Sequence, residues 1–165
     1  MRKIGLLSDT HGFIDDRIVE YFSTCDEIWH AGDIGDLKVT DRLSDVTLLR
    51  AVYGNIDGIE LKKKFPYKLQ FNCENVQVCM THIGGYPGRY AAGITEMLFM
   101  SNPDLFIAGH SHILKVMNDK KMNLLYMNPG AAGRHGMHKV RTLLRFEIDD
   151  DRIENLEVIE LGTRV

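Results

Sequence analysis

Cysteine is scarce in this 165-residue chain. Cys25, Cys73 and Cys79 are odd in number and form no C-x-x-C motif, so the sequence gives no sign of a disulfide framework. Each stands in an apolar or strand-like segment, where buried free thiols are common. We therefore expect three structural thiols and a reducing, cytoplasmic compartment.

Long apolar runs and an excess of positive charge are also missing. The first run, Ile4–Leu7, is far too short for the hydrophobic region of a secretory signal, and no run approaches membrane-spanning length. The net charge of −3 argues against a general nucleic-acid or anionic-membrane binder, which needs a basic surface. No linker, repeat or low-complexity tract divides the chain. We therefore expect one domain over residues 1–165, with no membrane association and no dedicated nucleic-acid surface; homo-oligomer formation is left open.

The chain does contain a recurring junction, in which a short apolar run ends abruptly at a residue able to bind a metal. The five junctions are Ser8-Asp9-Thr10-His11-Gly12, Gly32-Asp33, Gly54-Asn55, Thr81-His82 and Gly109-His110-Ser111-His112. Short apolar runs bounded by glycine or polar residues predict buried strands, and a sheet brings such strand ends together. Two Asp, one Asn and four His offer mixed oxygen and nitrogen ligands, which suit a first-row divalent metal.

Spacing within the junctions supports this interpretation. Asp9 and His11 are two residues apart, as are His110 and His112. Alternate side chains of an extended segment point the same way, so Asp9 and His11 can both approach one ion, and His110 and His112 could each serve one of two neighbouring ions. Glycine directly precedes Asp33 and lets the backbone turn sharply there.

The order of predicted elements changes along the chain. Strands at 3–8, 27–31 and 46–53 alternate with helices near 14–24 and 37–44, and this βαβαβ order predicts parallel strands. A hairpin at 67–80 and a helix at 90–101 follow. The later strands are predicted at 105–109, 113–118, 123–127, 140–149 and 152–160. Because they are too close for crossover helices, we expect them to be largely antiparallel. The predicted fold class is α+β, a mixed β-sandwich of two sheets flanked by helices.

In order and rough spacing, the five junctions resemble the motifs of the calcineurin-like metallophosphoesterase superfamily. The sequence is most similar to the small bacterial and archaeal single-domain phosphodiesterases of the YfcE type, and Asn128-Pro129-Gly130 resembles a late motif of that subfamily. The resemblance implies a two-sheet sandwich flanked by helices, in agreement with the predicted strands. It also implies hydrolysis of small phosphodiesters by a hydroxide that bridges two divalent metal ions.

The resemblance further implies which side chains hold the ions. One ion would be bound by Asp9, His11, Asp33 and His112, and the other by Asp33, Asn55, His82 and His110, with Asp33 bridging. Mn is the expected metal, with Ni, Fe, Co or Zn as alternatives, because imidazole–carboxylate sites accept all of them. The second ring nitrogens of the ligand histidines are expected to donate to Asp57 or to backbone carbonyls.

One position departs from the family pattern. Many larger relatives carry a histidine directly after the asparagine, where it is thought to protonate the leaving group, and here Ile56 stands in its place. The general acid is therefore missing, replaced by water or supplied from elsewhere. We expect substrates with good leaving groups, such as aryl phosphodiesters, to be favoured.

Five further residues have two interpretations each. Arg134 and Arg89 are candidate ligands of the substrate phosphate, because a guanidinium matches phosphate oxygens bidentately, and a plain surface position is the alternative. His30 lies in a predicted strand and is expected to be packed rather than to bind metal. His135 and His138 are expected to be exposed loop histidines.

Alternatives to a phosphodiesterase remain. A phosphomonoesterase shares the metal chemistry, so the sequence separates the two poorly. A non-catalytic binding scaffold of the same fold predicts eroded ligand positions, whereas all seven are filled here. A doubly wound nucleotide-binding domain agrees with the βαβαβ order. It requires a glycine-rich phosphate motif after the first strand, where Asp9-Thr10-His11-Gly12 stands instead.

Overall fold

Two five-stranded sheets face each other in the computed structural model, which describes residues 1–165. The strands are β1 (Arg2–Leu7), β2 (Glu27–His30), β3 (Leu48–Ala51), β4 (Lys68–Cys73), β5 (Val76–Thr81), β6 (Gly85–Tyr86), β7 (Arg89–Tyr90), β8 (Leu105–Ile107), β9 (Leu114–Asp119), β10 (Leu124–Pro129), β11 (Val140–Asp149) and β12 (Arg152–Thr163). The helices are α1 (Asp16–Phe22), α2 (Leu37–Ser44), α3 (Ile59–Lys64) and α4 (Ile94–Ser101). None of these helices has the length and hydropathy needed to cross a bilayer.

The first sheet has the order β12-β11-β1-β2-β3. Strands β1, β2 and β3 are parallel, as the βαβαβ pattern predicts, and α1 and α2 make the crossovers. Helix α1 begins where the Asp15 carboxylate accepts a hydrogen bond from the Ile18 N–H at 3.1 Å, a normal N-terminal cap. Strand β11 runs antiparallel to β1 and forms a long hairpin with β12.

The second sheet has the order β4-β5-β8-β10-β9 and is mixed. The β4–β5 and β9–β10 hairpins are antiparallel, whereas β8 is parallel to both of its neighbours. The prediction that the later strands are largely antiparallel is therefore wrong for β8. Strand β10 lies between β8 and β9, so β8 does not form a hairpin with the strand that follows it in the sequence. The α+β mixed sandwich itself is confirmed.

Several element boundaries differ from the predictions. The predicted helix at 90–101 begins only at Ile94, because Arg89–Tyr90 forms a short ribbon with β6 and Gly93 adopts a left-handed conformation with φ 79°. Helix α3 was not predicted, since its three consecutive lysines indicate only a solvated edge.

The main core lies between the sheets. Trp29 is fully buried there, with its ring centroid 5.0 Å from that of Phe71 and 5.7 Å from that of Phe146. Its indole N–H donates to the buried Glu27 carboxylate at 2.9 Å, and that carboxylate also accepts from Arg50 at 2.7 Å. The buried polar groups of Trp29 and Glu27 are thus paired, as a stable interior requires.

The topology carries the five junctions to one end of the sandwich. The C-terminal ends of the parallel strands β1, β2 and β3 share an edge of the first sheet, and those of β5 and β8 share an edge of the second. Backbone hydrogen bonds of 3.0 Å then join the loops: Asp9 N–H to Gly32 O, His11 N–H to Asp33 O, and Gly109 N–H to His82 O. Residues from distant parts of the sequence therefore meet at one place.

Candidate metal centre

Two groups of metal-binding side chains lie at the convergence of these loops. Asp9, His11 and His112 form one group, and Asp33, His82 and His110 form the other. Within each group the ligand atoms all lie within 4.8 Å of one another. The two groups contain six of the seven side chains that the resemblance implies as ligands.

Asp33 lies between the two groups. Its Oδ2 is 3.6 Å from His11 Nε2 of the first group, and its Oδ1 is 3.2 Å from His82 Nε2 of the second. Asp9 Oδ1 is 3.1 Å from His112 Nε2. The Asp33 carboxylate is thus placed as a bridging ligand would be, with one oxygen towards each group.

Asn55 borders the second group. The next backbone N–H, that of Ile56, donates to Asp33 Oδ1 at 3.1 Å, which brings this loop against the bridging carboxylate. The Asn55 side chain is exposed and makes no hydrogen bond within the protein. Gly54, just before it, packs so closely on Asp33 that a Cβ at this position would overlap the Asp33 carboxylate. Position 54 therefore requires glycine, because only a residue without a side chain leaves room for the Asp33 carboxylate.

Five of the seven predicted ligands have a left-handed backbone. They are Asp9 (φ 55°), His11 (φ 47°), Asp33 (φ 52°), His110 (φ 69°) and His112 (φ 58°). Such conformations are uncommon for residues other than glycine and cost of order 1 kcal/mol or more each. The extended geometry that the two-residue spacing predicts is therefore wrong at both pairs: tight turns, rather than alternation along a strand, aim these side chains.

Asp57 ties together the loops that carry Asp33 and Asn55. Its Oδ2 accepts from the Ile34 N–H at 3.1 Å and from the Gly54 N–H at 2.7 Å, and its Oδ1 accepts from the Gly35 N–H at 2.7 Å. The carboxylate is buried, and its bonds go to backbone groups. The expectation that Asp57 accepts a hydrogen bond from a ligand histidine is therefore wrong.

A backbone carbonyl does fulfil that role at His82. The His82 Nδ1–H donates to the Ala31 carbonyl at 2.8 Å, which directs Nε2 towards the two carboxylates of the site. A hydrogen bond of this kind fixes the tautomer and orientation of a metal-binding imidazole.

His30 is fully buried and is part of the support for the site. Its Nδ1 accepts from the Gly32 N–H at 3.1 Å, and its Nε2–H donates to Thr10 Oγ1 at 2.9 Å. Burial lowers the pKa of His30 to about 4, so the ring is neutral at neutral pH. The prediction that His30 is packed rather than a ligand is confirmed.

The protonation states of His11 and Asp33 favour metal binding, whereas a metal at His82 has to displace a proton that the neighbouring carboxylates stabilise. Burial lowers the pKa of His11, which keeps its ring neutral. Burial disfavours the charged forms of His82 and Asp33 as well, and so acts to lower the pKa of His82 and to raise that of Asp33. Their mutual contact nevertheless raises the pKa of His82 and lowers that of Asp33, and Asp9 contributes to the first shift. Asp33 therefore remains a carboxylate, the form that binds a cation.

Three buried atoms of predicted ligands have no hydrogen-bond partner, namely Asp9 Oδ1, His11 Nε2 and His82 Nε2, and His138 Nδ1 in the neighbouring loop also lacks one. Buried polar atoms are rarely left unsatisfied, because each costs the full energy of its lost hydration. All three belong to predicted ligands and face the shared region between the groups. Divalent cations there would satisfy them, so the residues fit a metal site.

The loop 133–138 encloses the first group from two sides. The ring centroid of His135 lies 4.8 Å from that of His11, and the ring centroid of His138 lies 5.3 Å from that of His112. His138 is half-buried, and its Nε2–H donates to the Gly133 carbonyl at 3.0 Å. The prediction of an exposed loop histidine is confirmed for His135 and wrong for His138. An irregular loop has no periodicity from which these contacts could be predicted.

The two candidate arginines are in different places. The Arg134 guanidinium stacks 4.4 Å from the ring centroid of Phe13, two residues beyond His11, and so lies beside the first group. Arg89 instead lines an open pocket next to the β9–β10 turn, which none of the seven predicted ligands lines. The structure therefore brings Arg134 towards the site and leaves Arg89 outside it.

A fold of two facing sheets whose strand ends carry two Asp–His groups is typical of metal-dependent phosphoesterases. The model of the calcineurin-like phosphoesterase superfamily domain matches residues 2–151. The chain belongs to this superfamily.

Relatives and solved structures agree with this assignment. The chain is 29% identical to a probable metallophosphoesterase of Methanothermobacter thermautotrophicus, over 98% of this chain and 94% of the relative. An archaeal phosphodiesterase structure has a TM-score of 0.75 at 22% identity and covers 96% of this chain and 99% of its own. Vps29 of Entamoeba histolytica in complex with Zn²⁺ has a TM-score of 0.74 at 15% identity, covering 96% and 98%. At these identities the two structures establish the fold alone.

Proposed function

We propose that this protein is a phosphodiesterase for small phosphodiesters, and that two divalent metal ions sharing Asp33 occupy its site. The observation that supports this most is the position of Asp33 between two Asp–His groups whose buried ligand atoms lack partners. The active unit in this proposal is one domain spanning residues 1–165. The three buried free cysteines favour a reducing cytoplasmic setting.

The metal ions would supply a water of lowered pKa and would neutralise charge on the phosphoryl oxygens. The chain's own residues hold the site in place. His82 is oriented by the Ala31 carbonyl, and the Asp33 loop is held by Asp57. Mn²⁺ is the metal we propose, and Ni²⁺, Fe²⁺, Co²⁺ and Zn²⁺ suit the same ligands.

Substrate recognition would involve Arg134. Its guanidinium is held over Phe13 beside the first group, where it can meet a phosphate oxygen. Ile56 offers no proton to a leaving group, so the proposal favours esters of acidic alcohols such as phenols. Similarity to an archaeal phosphodiesterase supports diesters over monoesters.

A non-catalytic scaffold is the second candidate function, because the chain also shares its fold with Vps29. The seven filled ligand positions count against it. The left-handed backbone at five of these ligand positions also counts against it. Backbone strain of this kind persists mainly where function requires the geometry, and a scaffold would have no use for it.

A metal-dependence assay tests the proposal. The protein would be freed of metal with a chelator and assayed on bis(p-nitrophenyl) phosphate and p-nitrophenyl phosphate with added Mn²⁺, Ni²⁺, Zn²⁺ or Mg²⁺. We expect activity only with metal, higher on the diester, and abolished in Asp33→Ala. Asp45→Ala, an exposed carboxylate at the end of α2, is the matched control. Full activity in Asp33→Ala would refute the shared-ligand site, and preference for the monoester would favour a phosphomonoesterase.

A further inference from the structure

An open pocket of about 420 Å³ adjoins the metal centre. One wall is the connection between β8 and β9, residues 110–113, and the other is the loop segment 136–138. The wall at 110–113 includes His110 and His112, one from each ligand group. The pocket thus shares one residue with each ligand group, and the chemistry proposed above assigns it no role.

Two large apolar side chains at this pocket are turned towards solvent. Ile113 is 61% exposed and Met137 is 97% exposed. A single exposed apolar residue needs no explanation, but two that line one concave surface beside a catalytic centre indicate a contact made with a ligand. Methionine is well suited to this, because its flexible thioether adapts to different shapes and packs favourably against aromatic rings.

The wall formed by the loop is fixed in place. A Cβ at Gly136 would overlap the His112 ring, so the loop backbone rests directly on a ligand. The hydrogen bond from His138 to the Gly133 carbonyl closes the loop on itself, and Arg134 anchors it on Phe13. The backbone of this wall is therefore held in place, and on binding mainly the exposed Met137 side chain has to be ordered.

We propose that this pocket binds an aromatic group on the phosphodiester, namely the ester group that stays on phosphorus after cleavage. A cavity of roughly 150 Å³ is enough to hold a benzene ring, so the space suffices. A retained group keeps its contact with Ile113 and Met137 throughout the reaction, whereas a departing group must be released to water. The inference rests on the proposed function and narrows its substrates to phosphodiesters with an aryl or similar flat apolar substituent.

The test compares two substrates with the same leaving group. Phenyl p-nitrophenyl phosphate and methyl p-nitrophenyl phosphate both release p-nitrophenolate, so only the retained group differs. The variants are Met137→Ser and Ile113→Ser. The matched control is Met100→Ser, which removes an 87% exposed methionine from α4, outside the pocket. Since the substituted side chains are exposed, folding is not at risk.

For each pocket variant we expect kcat/KM on the phenyl substrate to fall about five- to tenfold, as loss of part of an open apolar wall predicts. In the same variants kcat/KM on the methyl substrate should change less than about twofold, because the methyl group does not reach the apolar side chains. The control Met100→Ser should leave kcat/KM on both substrates unchanged. An equal loss on both substrates, or no loss on either, would overturn the assignment of the pocket.

A binding measurement separates this inference from the proposed function. Calorimetric titration of the Mn²⁺-loaded protein with phenylphosphonate and methylphosphonate needs no turnover. Tighter binding of phenylphosphonate that disappears in Met137→Ser supports the pocket even if neither diester is hydrolysed. Equal affinities in the wild type, or no binding of either, would overturn it. Failure to hydrolyse any diester would refute the proposed phosphodiesterase activity and would leave the assignment of the pocket standing.

Discussion

His30 Nε2 lies 2.9 Å from the Thr10 hydroxyl oxygen, and this hydrogen bond joins β2 to the loop between Asp9 and His11. The Thr10 hydroxyl in turn donates to the Ile34 carbonyl at 2.9 Å, one residue beyond Asp33. The Gly32 N–H donates to His30 Nδ1. The tautomer of His30 that carries its proton on Nε2 therefore pairs both ring nitrogens. The neutral imidazole thus holds two ligand-bearing loops in register.

Protonation of His30 should therefore destabilise the protein. Its pKa is about 4 when folded and near 6.5 when unfolded, so the unfolded chain binds more protons between these pH values. Stability contributed by the neutral ring is complete above about pH 6.5 and falls as the pH decreases towards about 4. We expect a loss of about 2 kcal/mol in unfolding free energy between pH 7 and pH 5 from this group. Urea denaturation of the metal-free protein measures it.

The control for that experiment is His30→Gln, which removes the titrating group. Its unfolding free energy should be lower at pH 7 and should depend less on pH. His11 and His138, whose pKa values burial also lowers, act in the same direction in both proteins. If the variant and the wild type lost the same free energy between pH 7 and pH 5, His30 would not be the group responsible.

A methyl group at Gly54 should disturb the metal centre. Because a Cβ there would overlap the Asp33 carboxylate, Gly54→Ala is expected to displace Asp33 and to weaken Mn²⁺ binding at least about tenfold, the usual scale for disturbing the support of a ligand. Gly58→Ala is the matched control, since a Cβ at Gly58 meets no atom within 4 Å. Titration with Mn²⁺ measures both. Equal affinities for the two variants would contradict the close packing of Gly54 on Asp33.

Asp57 should matter for the stability of the protein. Asp57→Ala leaves three backbone N–H groups without their charged acceptor and is expected to cost about 4 kcal/mol of unfolding free energy. Asp36→Ala, which removes an exposed carboxylate that caps α2 through the Lys38 N–H, should cost about 1 kcal/mol. Chemical denaturation compares them, and similar costs would show that Asp57 does not hold the two loops together.

Reaction rates should depend steeply on the leaving group. Ile56, 47% exposed beside Asp33, cannot donate a proton, so we expect charge to build up on the departing oxygen. Across a series of methyl aryl phosphodiesters, log kcat/KM should fall as the pKa of the phenol rises, and Ile56→His should reduce that slope. A flat dependence in the wild type would mean that another group protonates the leaving oxygen, and His135 beside His11 would then be examined first.

The sequence was sufficient for the features that depend on hydrophobic pattern. Alternation of strand and helix up to Ala51 predicts the parallel β1, β2 and β3, and polar residues at strand ends predict where the ligands meet. Such patterns are local in sequence, and the general rules of sheet topology then bring the strand ends together at one edge. Insertion of β10 beside β8 depends on pairing between distant strands, which no local pattern specifies.

Details of the site were less predictable. The left-handed φ of Asp9 or His112 arises from turns that surrounding contacts impose, and although Asp and His adopt it more often than most residues other than glycine, it is still uncommon for them and no local pattern predicts it. Contact of His138 with His112 depends on the path of a loop without periodicity. Asp57 lies close enough in sequence to a ligand to suggest a partner, but only the three-dimensional arrangement shows that backbone groups use both of its oxygens.

The stoichiometry of Mn²⁺ binding tests the central claim most directly. Metal-free protein would be titrated with Mn²⁺, the bound metal counted per chain, and magnetic coupling between the ions recorded by electron paramagnetic resonance. Since Asp33 faces both ligand groups, the account predicts two coupled ions per chain, and loss of both coupling and tight binding in Asp33→Ala. One ion per chain, or two uncoupled ions unaffected by Asp33→Ala, would contradict it.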